Sequence, residues 1–316
     1  ALMMCKYELN DEHVRDIYKS ICNWNRWGSK DQLGTLNYIN SDKVYSARGL
    51  IGEGKLVGCG RIVDTVPSPM NNIPAQHHMV AAGDLAVSEG SSVAYDFIGI
   101  FPHGQAQSHI DALCHIADAG LLYNRYPAAA VTSAGAKKLD IKLMSDGIAS
   151  RGVFLDIAAA RNAPFVNPEE PITPDDLDLA EKLAGVQVKE GDIVIYRTGR
   201  HERRDKLGPN CERLEDGRGL LPGLYPDSLI WLHERKVAMI GSDCAHDVLP
   251  APFLNERIPI HVGTEVYMGL PLLHNLDLAQ LVTECSARGI SEFFFIIAPL
   301  PIQGGTASPV NPIAIF

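Results

Sequence analysis

RGVFLDIAAARNAPFVNPEEPITPDDLDLAEKLAGVQVKEGDIVIYRTG, residues 151–199, contains the alternation from which the fold is read. Its ends, GVFLDIA and GDIVIYRTG, are short apolar runs bounded by glycine, the pattern of buried strands. Between them TPDDLDLAEKLAG is a helix marked at both ends. Thr173 caps it, Pro174 takes the first turn, acids follow, and Gly185 closes it. Downstream the alternation continues with helix (225–236), strand (237–245), helix (276–289) and strand (292–300). Upstream, Asp11 to about Asn23 and residues 41–49 read as helices, the first residue of the latter, Ser41, being its cap. Residues 55–66 and 92–101 read as strands, and residues 67–90, rich in turn formers, as a long loop. Strands and helices intermix without repeat, low-complexity tract or linker, so the expectation is a single mixed α/β domain over residues 1–316.

Bulk properties narrow the function classes. The 316 residues are 46% hydrophobic and 21% charged, with a formal charge of −10. That balance argues against a nucleic-acid partner, because phosphate binding needs a basic face. No apolar run is long enough for a membrane span, and the first twenty residues do not read as a leader. The seven cysteines form no C-x-x-C pair, which fits reduced, buried thiols and a cytoplasmic location, and sets cysteine aside as a metal donor.

The chemistry concentrates in HGQAQSHIDALCH, residues 103–115. If the preceding strand continues through it, Gln105, Gln107, His109 and Asp111 share one face. Imidazole and carboxylate are the usual donors for zinc or manganese. The following ALCHIADAG could begin a helix that returns His115 to the same pocket. A single buried histidine is more often a satisfied core residue than a ligand. Two histidines and an aspartate within seven residues are harder to dismiss.

This segment resembles the metal motif of the cyclase family of metal-dependent hydrolases, which includes bacterial kynurenine formamidases, isatin hydrolase and a trans-dienelactone hydrolase. The family pattern H-x-G-T-H-x-D-x-P-x-H stands here as Q105-A-Q-S-H109-I-D111-A-L-C-H115. RWGSKDQLGTLNYI (26–39), GLLYNRYP (120–127), RGVFLDIA (151–158), GDIVIYRTG (191–199) and GGTASPVNPIAI (304–315) extend the resemblance over nearly the whole chain. It implies the swivelling β/β/α fold, a homodimer or homotetramer, and a second ligand group from a later histidine and a glutamate. His261 matches the histidine, and His274-Asn275 stands where the family has Glu-Asn. The departures at Gln105 and His274 leave Asp111 as the one certain anionic donor, so one divalent metal per chain is expected, zinc first and manganese second.

The expected metal set is Gln105, His109, Asp111 and His274, with an open position for water. His115 and then His261 are the candidates for acid–base work, or they complete the shell. The reaction implied is attack of a metal-bound water on the carbonyl of a small cyclic ester (lactone) or cyclic amide. The alternatives are arylformamidase-type amide hydrolysis, a metal-assisted lyase or cyclisation enzyme on the same scaffold, and a non-catalytic small-ligand-binding relative. Trp24, Trp27, Phe101 and Arg197 or Arg200 are candidate substrate contacts, weighed against core packing for the aromatics and a solvated basic face for the arginines. His77 and His78 read as solvated loop residues that could line a lid. G-x-S-x-G, P-loop and H-E-x-x-H motifs are absent from the sequence.

Overall fold

The computed structural model describes residues 7–85 and 90–316. The first six residues, where the stretch read for a leader begins, and residues 86–89 of the segment 67–90 lie outside them. In chain order the strands are β1 (Leu56–Gly58), β2 (Gln76–Ala81), β3 (Tyr95–Gly99), β4 (His109–Asp111), β5 (Val131–Thr132), β6 (Gly135–Ala136) and β7 (Ile148–Asp156). They continue with β8 (Ile193–Arg197), β9 (Met239–Ser242), β10 (Leu272–His274), β11 (Glu292–Ile297), β12 (Ala307–Pro309) and β13 (Ile313–Ile315).

Nine of these form one sheet in the order β1-β13-β11-β7-β8-β9-β10-β4-β12. Its centre, β7 through β10, is parallel, and every other pairing is antiparallel. Parallel neighbours need crossover connections, and the helix at 174–184 between β7 and β8 supplies one. That helix has the expected form: a capping box between Thr173 and Asp176, Pro174 in the first turn, and Gly185 left-handed at φ 66°.

The central strands are apolar on both faces because each face is covered. Val153, Leu155, Val194, Tyr196 and Ile240 point into one core with Val14, Ile17, Leu177, Leu229 and Trp231 from helices. The intervening Phe154, Ile193, Ile195 and Met239 point into the other, against Leu281, Phe293 and Phe295. Gly152 is small for a packing reason: a Cβ there would lie 2.2 Å from the Phe293 ring.

Several local expectations change. The N-terminal helix is Asp11–Ser20, and the helix Ser41–Ala47 is capped by Asn40, whose side chain accepts from the Lys43 N–H, so Ser41 is its first residue. The strand expected over 55–66 is only β1. The segment 67–90 is not simply loop, because β2 lies in it and pairs with β3 as a separate two-stranded hairpin. Residues 112–119 form turns rather than a helix. Among the described residues no helix is long and apolar enough to cross a membrane.

Candidate metal centre

β4 and β10 lie side by side, with His274 opposite His109 and Leu273 opposite Ile110. Alternation along β4 turns Ile110 into the apolar core and puts His109 and Asp111 on the other face. The His109 and His274 rings stack with centroids 4.4 Å apart. Cross-strand pairing therefore builds the floor of the site at the carboxyl end of β10.

Asp111 is its hub. Oδ1 lies 3.1 Å from His103 Nδ1 and 3.4 Å from His109 Nε2. Oδ2 lies 2.6 Å from His274 Nε2, 3.7 Å from His261 Nε2 and 4.0 Å from His115 Nε2. The donor atoms of Asp111, His261, Glu265 and His274 all fall within 4.8 Å of one another, as do those of His103, His109 and Asp111. Two overlapping donor groups thus share one carboxylate.

Glu265 comes from a π-helical turn, Val262–Met268, that follows directly from His261. Such wide turns leave carbonyls without their usual helical partners. Trp24 Nε1 donates to Val266 O (2.7 Å), Asn23 N to Tyr267 O (2.9 Å) and Asn23 Nδ2 to Met268 O (3.0 Å). Trp24 also stacks on Tyr267 with centroids 5.3 Å apart, so it shapes the turn that presents Glu265.

Outer partners fix the rings. His109 Nδ1 donates to Gln107 O at 2.8 Å, leaving Nε2 with its lone pair toward Asp111. His261 Nδ1 donates to Asp247 at 2.6 Å, and the same carboxylate accepts the Ile260 and His261 backbone N–H groups. His103 Nε2 meets Thr306 Oγ1 at 2.9 Å, leaving Nδ1 toward the cluster. This is how metal-bound imidazoles are held. His246 differs, since both of its nitrogens are used, one by the Tyr196 hydroxyl and one by Leu273 O, and it braces the floor from behind.

The electrostatics call for a cation. Asp111, Glu265 and His274 are buried. Asp111 Oδ1, both Glu265 oxygens and His274 Nδ1 are buried without a well-aligned hydrogen bond among the described residues, and around Asp111 Oδ1 only the imidazoles of His103, at 3.1 Å, and His109, at 3.4 Å, come near. Each unmet buried polar atom costs about 1–3 kcal/mol, more when charged. Burial disfavours ionised Asp111, but the facing His274 and His109 imidazoles overcome this and hold its carboxyl low. Burial and the Asp111 charge push Glu265 strongly up. Burial pulls His261 down, yet Asp247 more than compensates and raises it, so a proton and a metal compete for its Nε2. Acceptors gathered around acceptors, with oriented imidazoles between them, fit a divalent metal.

The structure brings His109, Asp111, His115, His261 and His274 together. His261 sits inside a donor group, and His115 stands at the edge, stacked on His103 at 3.9 Å. Gln105 lies in the bend between His103 and His109, with its Oε1 buried and unpartnered. The strand face expected from 105 to 111 is not formed, because β4 starts at His109. Gln107 instead turns to the Asp64 backbone, donating to its carbonyl and accepting from its N–H. His103 and Glu265 belong to the donor groups but lie outside the set expected from the sequence. His103 is displaced by two residues from the motif position, whereas Glu265 was signalled by its i,i+4 spacing from His261. Glu265 is a second carboxylate beside Asp111, so the site is not limited to the single anionic donor from which one metal per chain is expected.

Three substrate candidates, Arg197, Trp27 and Arg200, are committed elsewhere. Arg197 is committed to Asp156 (2.9 Å) and Glu202 (3.3 Å). Trp27 packs edge-on against Tyr38 with centroids 5.0 Å apart, and Tyr38 lies near Lys236 and Glu190, which precede β9 and β8. Arg200 is buried against Glu212 at 2.6 Å and donates to Asn275 Oδ1, whose amide in turn donates to Gly104 O and Gln107 O. It positions the bend that carries His103. Phe101 does reach the site, edge-on to His103 at 6.0 Å and 44% exposed.

Comparisons with known proteins identify the family and the fold. A family model described as "Putative cyclase" matches residues 71–246. Isatin hydrolase of Roseibium aggregatum is 27% identical over 188 residues, 54% of this chain and 64% of that protein, so the match spans less than two thirds of the relative. A solved structure described as a novel cyclase superposes with a TM-score of 0.83 at 28% identity, covering 95% of this chain and 99% of that one. An isatin hydrolase bound to the product analogue thioisatinate shares the fold, with a TM-score of 0.61 at 20% identity over 87% of this chain and 98% of that one. With more than half of its length matched by the family model and a cyclase fold throughout, the chain belongs to the putative cyclase family.

Proposed function

We propose that this protein is a metal-dependent hydrolase that opens a small cyclic amide or a lactone. The observation that carries the reading is the convergence of imidazole and carboxylate donors on Asp111, with buried oxygens that no well-aligned hydrogen bond satisfies. His103, His109, Asp111, His261, Glu265 and His274 are the residues that would hold a divalent cation. Zinc is the first candidate and manganese the second. Such a cation supplies Lewis acidity toward a carbonyl oxygen and lowers the pKa of water.

His115 is placed to move the proton. Burial depresses its imidazole to about 4, so near pH 7 it is neutral and offers a lone pair, and a proton it takes is held weakly and passed on readily. It is also the most exposed histidine around Asp111 and lies where a substrate would enter. His115 would take a proton from the attacking water and return it to the leaving nitrogen or oxygen. The C–N or C–O bond of the ring breaks, and the product carries a carboxylate together with an amine or hydroxyl. Phe101, beside His103, offers an apolar edge for a ring.

The likeness to isatin hydrolase supports the cyclic amide, because isatin contains a lactam. The lactone remains because the same acyl attack opens it. Retention of the donor set, with its outer hydrogen bonds, speaks against a non-catalytic ligand-binding relative. The test is a panel of isatin, simple lactones and aryl formamides, followed by carboxylate release and ¹⁸O incorporation from labelled water, with and without a chelator. Chelator-sensitive incorporation into an opened lactam or lactone is expected. Turnover of aryl formamides alone would favour the formamidase reading, and turnover without ¹⁸O uptake would favour a lyase.

A further inference from the structure

A cavity of about 420 Å³ lies past the carboxyl ends of β8 and β9 and shares no residue with the two donor groups of the metal centre. Arg61, His201 and Arg204 line it. Arg61 donates its backbone N–H to Ser108 Oγ at 2.8 Å, whereas its guanidinium meets no acceptor or carboxylate at bonding distance among the described residues. Burial and the neighbouring Arg200 charge pull that guanidinium below the usual arginine range, and Asp277 and Asp64 do not offset them. Arg204 lies 3.9 Å from Glu212, a carboxylate already taken by Arg200 at 2.6 Å. Both His201 ring nitrogens are buried without a well-aligned hydrogen bond, with the Leu276 backbone nearby. The charges that act on this ring most strongly belong to Arg61, Arg200 and Arg204.

Carboxylates also line the cavity, but most are engaged. Asp243 accepts from Thr198 N, Thr198 Oγ1 and Gly199 N, and Glu202 faces Arg197 at 3.3 Å. Asp277 accepts the Ala279 N–H and Asp64 the Val66 N–H. Asp205 is exposed, where solvent and salt screen it. What lacks a partner here is the donor side. A guanidinium drawn out of bulk water, with a second arginine and an imidazole beside it, suits the paired oxygens of a carboxylate or phosphate. Leu278 and Ala279 bring the N-terminus of the helix Ala279–Arg288 to the same wall, and its partial positive charge favours an anion.

We infer that this cavity binds a small oxyanion, a phosphate or a carboxylate group, between Arg61, Arg204 and His201. The site is separate from the metal centre and does not rest on the proposed reaction. The two are neighbours through the backbone: Asp64 bonds to Gln107, and Arg61 is one hydrogen bond from Ser108, the residue before His109.

Calorimetric titration of the full chain with inorganic phosphate and, separately, with acetate tests the site. At least one probe should bind once per chain with a dissociation constant of about 1 mM or lower. Tighter phosphate identifies the ligand as a phosphate or phosphate ester, and tighter acetate as a carboxylic acid. Arg61→Gln and Arg204→Gln should each weaken binding roughly 10-fold or more. Lys19→Gln, which removes a charge from an exposed side chain of the N-terminal helix, should leave it within about twofold. If one arginine variant misfolds, the other decides. Saturation by neither probe up to about 20 mM overturns the inference, as does binding that folded arginine variants retain in full. Asp111→Ala, which removes the hub of the metal centre, should keep the anion. Binding lost in Asp111→Ala and kept in Arg61→Gln would put the anion on the metal and overturn the inference as well. No readout depends on activity.

Discussion

Replacing Asp247 by Asn changes one side chain behind the metal centre and nothing that would touch the ion. The carboxylate accepts three hydrogen bonds: from Ile260 N at 2.8 Å on one oxygen, and from His261 N at 3.0 Å and His261 Nδ1 at 2.6 Å on the other. An amide keeps one oxygen. If that oxygen stays on His261, the NH₂ group faces the Ile260 N–H, donor against donor, and one charge-assisted bond is lost. If the amide flips, two are lost and His261 loses the partner that fixes its tautomer. Hydrogen bonds to a charged group contribute about 1.5–3 kcal/mol each, so the fold should weaken by at least that amount. Metal affinity should fall about 10–100-fold, because His261 Nε2 is no longer aimed. Competition against a chromophoric chelator gives the affinity, and urea unfolding of the metal-free protein gives the stability. An Asp247→Asn affinity within about twofold of wild type would refute the assignment of His261 as an oriented ligand. His246→Gln is the contrast: it should cost stability, since His246 spans Tyr196 and Leu273, and leave metal affinity nearly unchanged.

Three further outcomes are expected. Glu265→Gln removes a buried carboxylate that faces Asp111, so the metal-free protein should gain about 1–3 kcal/mol in urea unfolding while metal binding weakens, measured by the same competition. His115→Asn should lower kcat by about 10²–10⁴-fold with metal content unchanged, and loss of the metal would instead make His115 a ligand. Asp227 gives a pH test away from the site. Burial lifts its carboxyl to about 6, above its unfolded value, so ionising it costs stability as pH rises through about 6, and the cost vanishes below about 4. Discounted for partial exposure, Asp227→Asn should stabilise by about 1–2 kcal/mol at pH 7.5 and not at all at pH 4, read by urea unfolding at both values.

The central strands and helices were legible because they obey local rules. The helix 174–184 carries cap, proline, acids and a closing glycine in the sequence itself, and β7 and β8 are apolar runs between turn residues. His109 and Asp111 were legible because two residues of one strand separated by a single residue share a face. His103 was not, because its place depends on a bend at Gly104, with φ at 98°, and on the Arg200–Asn275 brace, which joins residues remote in sequence. Glu265 carries a readable signal in its spacing from His261, whereas the resemblance puts the family's glutamate at position 274. Arg197 looked available because its partner Asp156 lies on the neighbouring strand, a pairing set by sheet register.

Metal content tests the central claim most directly. Protein purified without added metal and without a nickel column would be measured by elemental mass spectrometry as isolated, after chelation, and after return of zinc or manganese, beside Asp111→Ala. At least about one equivalent per chain, removable, restorable and lost in Asp111→Ala, is the expected result, and a second equivalent would mean that both donor groups fill. A folded wild-type protein that holds no metal as isolated and takes up neither zinc nor manganese would contradict it.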